Sequence, residues 1–209
     1  MSALLLEVAV ALTPWLLGVV LLALGAMTAW VAVLAGGFVR EALQRRAQVA
    51  VLVEAERLVA AQLAARAASV EPLDHCVARA LERAPDGLGT RFAEALAAQG
   101  VDNADAILQA LDARAQRVLL THTLLTRLAP MGGLVATLLP LGPALSQLSE
   151  GDLPALAADL TVAFTATVAG LAVSCAAFAM GSLRRRWYDD DLARLELLLL
   201  RLVPDEPSA

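Results

Sequence analysis

Three long stretches of this chain carry no charge. No Asp, Glu, Lys or Arg occurs between Glu7 and Arg40, between Arg127 and Glu150, or between Asp159 and Arg184. A helix needs about 20 consecutive apolar residues to cross the hydrocarbon core of a bilayer. In lipid every backbone polar group must find a partner within the segment or bundle, so such spans are helical. The spacing predicts three transmembrane helices, near 13–37, 128–149 and 160–183. Composition agrees: 59% of the residues are hydrophobic but only 4% aromatic. That balance of Leu, Ala and Val suits helices better than sheets. A cleaved signal peptide competes for the first stretch. It fits less well, because no basic residue precedes the apolar run and the run exceeds a signal's apolar region.

The basic residues set the expected orientation. All 16 are arginine, and all lie in 40–127 or after Ser182. The 150–159 loop carries only acids, Glu150, Asp152 and Asp159, and Glu7 is the only charge near the N-terminus. Arg40, Arg45, Arg46, Arg127 and the Arg184–Arg186 triplet flank the apolar runs. By the positive-inside rule the N-terminus lies outside and both arginine-bearing parts lie in the cytoplasm. This topology separates Cys76 from Cys175, and two unpaired thiols are expected. The net charge of −5 is not gathered into a nucleic-acid footprint.

Four regions follow: 1–39, an external N-terminus and the first span; 40–127, a cytoplasmic helical region; 128–183, the second and third spans; and 184–209, a cytoplasmic C-terminal helix and tail. Arg40 to Ala68 has high helix propensity and no Gly or Pro. Pro72 and "APDGLG" (Ala84–Gly89) mark turns. Gly100 ends a short helix, and Asp102 or Asn103 can cap the next. Nothing breaks the pattern from Ala104 to Arg127, so that helix runs into the second span. The stretch after the third span also reads as helix until Pro204. The expected fold is an all-α integral membrane protein whose three spans extend into long cytoplasmic helices. It leaves no room for a separate soluble domain with a sizeable core.

Both later spans carry small and hydroxylated residues at helical spacing. In the second, Gly133, Thr137, Pro140 and Ala144 share a face. Pro140 and Pro143 cannot donate to the carbonyls of Ala136 and Leu139, and a kink is expected there. In the third, Ala163, Thr167, Gly170 and Ser174 share a face beside a stripe of Thr161, Thr165, Val168 and Ala172. Small residues at such intervals let helices approach closely. Two readings stay open: close helix packing, or two faces lining one conduit.

Here the sequence resembles the MotA/TolQ/ExbB family. "APMGGLVATL" (Ala129–Leu138) is similar to its second-core-helix motif, a Pro followed by glycines and a Thr. "AFTATVAGLAVS" (Ala163–Ser174) is similar to the motif of the next helix, a Thr before a Gly-Leu pair. Three spans and an insert between the first two resemble the TolQ/ExbB branch. The resemblance implies a bacterial inner-membrane ion channel or motor stator subunit, with protons the expected ion. It implies a homo-oligomer, a pentamer, around single-span partner subunits of the ExbD/TolR kind. By motif, Thr137 and Thr167 take the ion-path positions. Pro130, Gly133 and Gly170 match further family residues, and Pro140, Ala163 and Ser174 complete the pore-facing or packing set. The family often has a Glu shortly before the third-span Thr, where this chain has Val162. That difference motivates the alternative, a non-conducting helical scaffold of the same fold.

The three spans contain no Asp, Glu, Lys, Arg or His. A proton relay within a membrane needs titratable groups. The titrating Asp would therefore come from the partner's helix. No cofactor or metal is expected: His75 and His122 have no second ligand at suitable spacing. The serines of the spans have no basic neighbour to activate them, so no enzyme is expected. "DDD" (Asp189–Asp191) reads as a solvated start to the C-terminal helix.

Overall fold

The computed structural model describes residues 2–64, 87–100 and 103–202. They form four helices: α1 (Ser2–Ala64), α2 (Leu88–Gln99), α3 (Ala104–Glu150) and α4 (Leu153–Leu202). No strand occurs among the described residues. Three helices, α1, α3 and α4, are long and apolar enough to cross a membrane. Expectations that rest on Ala65–Ala68, Pro72, His75, Cys76, Ala84–Asp86, Asp102 and Pro204 lie outside the described residues.

The chain divides into two compact units. One comprises Met1–Gly36 and Leu120–Gly181; the other comprises Gly37–Leu119 and Ser182–Ala209. In the first, α3 and α4 pack as a hairpin. Its buried line is Ala129, Ala136 and Ala144 on α3, and Ala163, Ala166, Val173, Ala177 and Met180 on α4. Nearly all are small, as close helix approach in a membrane requires. Among the described residues, the apolar run of α1 contributes Leu24 and Val31 to buried positions. Leu24 meets Ala136 and Ala166, with Val20 beside them. Large side chains point outward instead: Trp15 is 77% exposed and Phe164 66%. Such apolar exposure is stable only against lipid or other protein.

The connection from α3 to α4 is two residues, Gly151 and Asp152, rather than a loop over 150–159. Gly151 adopts a positive φ of 81°, a conformation that favours glycine. The amides of Gly151 and Asp152 close the end of α3 onto Leu148 and Gln147 carbonyls, at 3.3 and 3.0 Å. The Asp152 carboxylate then accepts from the Ala155 amide at 3.1 Å, an N-cap for α4. Pro154 sits in the first turn, where its missing N–H costs nothing. On α3, by contrast, Pro130, Pro140 and Pro143 lie inside one continuous helix.

The second unit corrects one expectation. It does have its own core, built from Leu52 of α1, Phe92, Ala93 and Leu96 of α2, Ile107 and Leu111 of α3, and Leu195, Leu198 and Leu199 of α4. Phe92 is fully buried at its centre. The reason is α2: its Leu88, Phe92 and Leu96 recur at i, i+4 and i+8, so one face is apolar and fills the space the longer helices leave. Gly100 ends α2 with a φ of 74° and bonds its amide to the Leu96 carbonyl. Asn103, expected as a cap for the next helix, instead donates its side-chain amide back to the Gln99 carbonyl at 3.0 Å.

Candidate functional site

The α3–α4 seam brings the two predicted motifs together. Gly170 faces the α3 backbone so closely that a Cβ there would lie 2.6 Å from the Ala129 carbonyl oxygen and 3.2 Å from the Gly133 Cα. Gly133 is constrained less severely, with the Thr167 Cα at 3.2 Å from a Cβ built on it. Each glycine therefore makes room for the other helix. The hydroxyl of Thr167 uses that closeness: it donates to the Gly133 carbonyl at 3.1 Å and lies 3.4 Å from the Ala163 carbonyl of its own helix.

A second hydroxyl crosses the seam two turns along. Ser174 donates to the Thr126 carbonyl at 2.8 Å. The donor has a structural cause. In an α-helix the Thr126 carbonyl would accept from residue 130, but that residue is Pro130, which has no N–H. The Ser174 hydroxyl supplies the missing partner, so the carbonyl is not left unpaired. Reading Pro130 with the i−4 rule would have marked the Thr126 carbonyl in the sequence, just as Pro140 and Pro143 mark Ala136 and Leu139.

Thr137 behaves differently. Its hydroxyl donates to the Leu134 carbonyl of its own helix at 2.7 Å, and no hydrogen bond joins it to Thr167 among the described residues. Of the remaining predicted residues, Pro140 and Ala163 are buried and Pro130 is half-buried. The face Ala163, Thr167, Gly170 and Ser174 thus packs on α3 within one chain. The adjacent stripe Thr161, Thr165, Val168 and Ala172 stays exposed, with Thr161 and Thr165 bonded back to their own helix. Cys175, also exposed, is a free thiol.

His122, placed by the sequence near a membrane end, is buried, 1% exposed. It lies against Gly181 of α4, where a Cβ would come within 2.9 Å of the histidine's own. Thr126 donates to its carbonyl at 2.8 Å.

In the second unit a cluster that the sequence did not mark ties α1 to α4. The rings of Phe38 and Trp187 stack at 5.3 Å, within 4° of parallel. Arg184 lies over Phe38 and Arg45 over Trp187, each guanidinium under 6 Å from the ring centre. Arg184 also donates to Glu41 at 2.8 Å, and Arg45 to Asp191 at 2.5 Å. The "DDD" reading holds for Asp189 and Asp190, which are exposed, and fails for Asp191, which is buried. Burial pushes the Asp191 carboxyl up from its ordinary value, against the opposing pull of Arg45. Its Oδ1 is buried without a hydrogen-bond partner. Tyr188 is pushed up to about 12, first by burial and then by the neighbouring Glu41 carboxylate. Among the described residues no group of three His, Cys, Asp or Glu side chains could hold a metal ion.

Three helices long and apolar enough to cross a membrane, two of them joined through glycine contacts and hydroxyl-to-carbonyl bonds, define a helical protein of the membrane class. The profile of the MotA/TolQ/ExbB proton channel family matches residues 72–197, more than half of the sequence and all of the α3–α4 seam, and the chain belongs to that family. No curated protein and no solved structure matches it.

Proposed function

We propose that this chain is the channel or stator subunit of an ion-driven machine in the bacterial inner membrane, working with a single-span partner that supplies the titrating carboxylate. The observation that carries this reading is the Thr167 hydroxyl bridging to Gly133 between two spans that have no charged or histidine side chain. Spans 128–149 and 160–183 contain no Asp, Glu, Lys, Arg or His, so the proton must be held by a group from elsewhere. Thr137 and Thr167 then act as hydroxyls that receive that carboxylate or its water. The exposed Thr161, Thr165 and Ala172 stripe on α4 offers a small-residue face on which further helices can close. Several copies, five in this reading, surround the partner helices. The arginine-bearing segments lie in the cytoplasm by the positive-inside rule.

Thr167→Val tests this. The variant keeps the methyl volume and removes the donor. It assembles and copurifies with the partner but loses proton flux in vesicles. Undiminished flux would remove Thr167 from the ion path.

A second reading follows from Val162, an exposed apolar residue where the family often carries Glu. On that reading the chain is a scaffold of the same fold without an ion path. Copurification from native membranes separates the two: an associated single-span protein with an Asp in or beside its span supports the channel, and its absence supports the scaffold.

A further inference from the structure

The second unit contains a cleft of about 290 Å³ lined by arginine from three different helices: Arg40 of α1, Arg91 of α2 and Arg114 of α3. Tyr188 of α4 and Gly87, the residue before α2, also line it. One acid faces the cleft, Glu41. Its charge is already committed, to the Arg184 guanidinium at 2.8 Å and to the Tyr188 phenol. The guanidinium groups of Arg91 and Arg114 have no ion pair or side-chain hydrogen bond among the described residues. Like charges brought together without a counter-charge repel, and the arrangement is relieved by an anion. α2 starts at the same cleft without any side-chain cap, so the positive end of its dipole adds to the field.

We propose that this cleft binds a phosphate-bearing anion. Guanidinium groups match phosphate oxygens in pairs of parallel hydrogen bonds, which makes arginine the residue suited to this task. The volume lies at the low end of small-ligand sites, ~300–1,000 Å³, and fits one phosphate group with a short polar attachment. Two sources present that chemistry. Arg40 is the first charged residue after the long apolar run of α1, so the cleft begins within a turn of where that helix leaves hydrocarbon. An anionic lipid headgroup can reach such a place, and so can a soluble phosphate compound. The site is separate from the α3–α4 seam and does not depend on the ion-path reading.

The intact protein serves for the test. In one arm it is placed in nanodiscs of phosphatidylcholine with added phosphatidylglycerol, and retained lipid is counted by native mass spectrometry. In the other it is held in detergent, and inorganic phosphate is titrated while the melting temperature is followed. The wild type retains phosphatidylglycerol in preference to phosphatidylcholine if the source is a headgroup, or gains melting temperature with phosphate if the source is soluble. In either arm R91Q/R114Q weakens the effect by about tenfold. R185Q/R186Q, which removes two exposed arginines outside the cleft, does not. Circular dichroism and gel filtration check the fold. Should the double variant fail to fold, R91Q and R114Q are read singly, and each must weaken binding. Wild type showing neither effect, or arginine variants binding as well as wild type, overturns the proposal.

Discussion

Gly170 shows how much one missing methyl group can decide. With the Ala129 carbonyl 2.6 Å from where a Cβ would stand, Gly170→Ala must push α4 away from α3. The backbone on both sides is helical and cannot yield locally. The expected loss is ~1–3 kcal/mol, the range for overpacking in a filled interior, read as a lower melting temperature in detergent. Gly25→Ala has open space around it and does not lower the melting temperature. Asp191 gives a pH signature. Burial raises its pKa, so its contribution favours the fold below the ordinary carboxylate value of about 4. That contribution is lost as pH rises through the higher folded value. Asp191→Asn does not titrate. The stability of the wild type relative to this variant therefore falls as pH is raised through the acid range, and urea melts at several pH values measure it. At this scale the sequence disclosed local chemistry better than partners. The glycines and threonines of the seam stood out because their spacing is local. Arg45 and Asp191 lie 146 positions apart, and no pattern in the sequence pairs them.

At the scale of elements, helix type was legible throughout, because charge-free runs and Ala/Leu/Arg-rich stretches leave few alternatives. Connections were not. Residues 150–159 looked like a loop, yet 153–159 belong to α4, because Asp152 caps it and Pro154 fits its first turn. The three prolines of α3 lie within one continuous helix, and Ser174 meets the carbonyl that Pro130 leaves unpaired. The core around α2 was missed for a related reason. α2 is only 12 residues long, and its value lies in what it fills between helices contributed by distant segments. Phe92→Ala empties the centre of that core. It should cost ~3–5 kcal/mol and lower the protection of α2 amides in hydrogen exchange, while amides of the α3–α4 seam keep theirs.

For the whole molecule the family was legible in two short motifs, since they combine the residues that close the seam with those that sit beside it. What a single chain does not contain was also legible, because a run without titratable groups rules out an internal relay. The chain leaves Trp15, Phe164 and Phe178 more than 60% exposed, and a bilayer satisfies such side chains. The small-residue stripe of α4 is a poor lipid surface by comparison, since it offers little side-chain area. Assembly through it predicts that the purified protein elutes with the mass of several copies at detergent concentrations that keep it folded; a monomer under those conditions counts against the oligomer. The two-residue turn at Gly151 and Asp152 bears on biogenesis as well. With so short a tether, α3 cannot settle in the bilayer while α4 waits outside it. The pair must enter as one hairpin, and in the orientation proposed above it carries Glu150, Asp152 and Asp159 across with the turn, so each new copy is committed to its topology in a single insertion event.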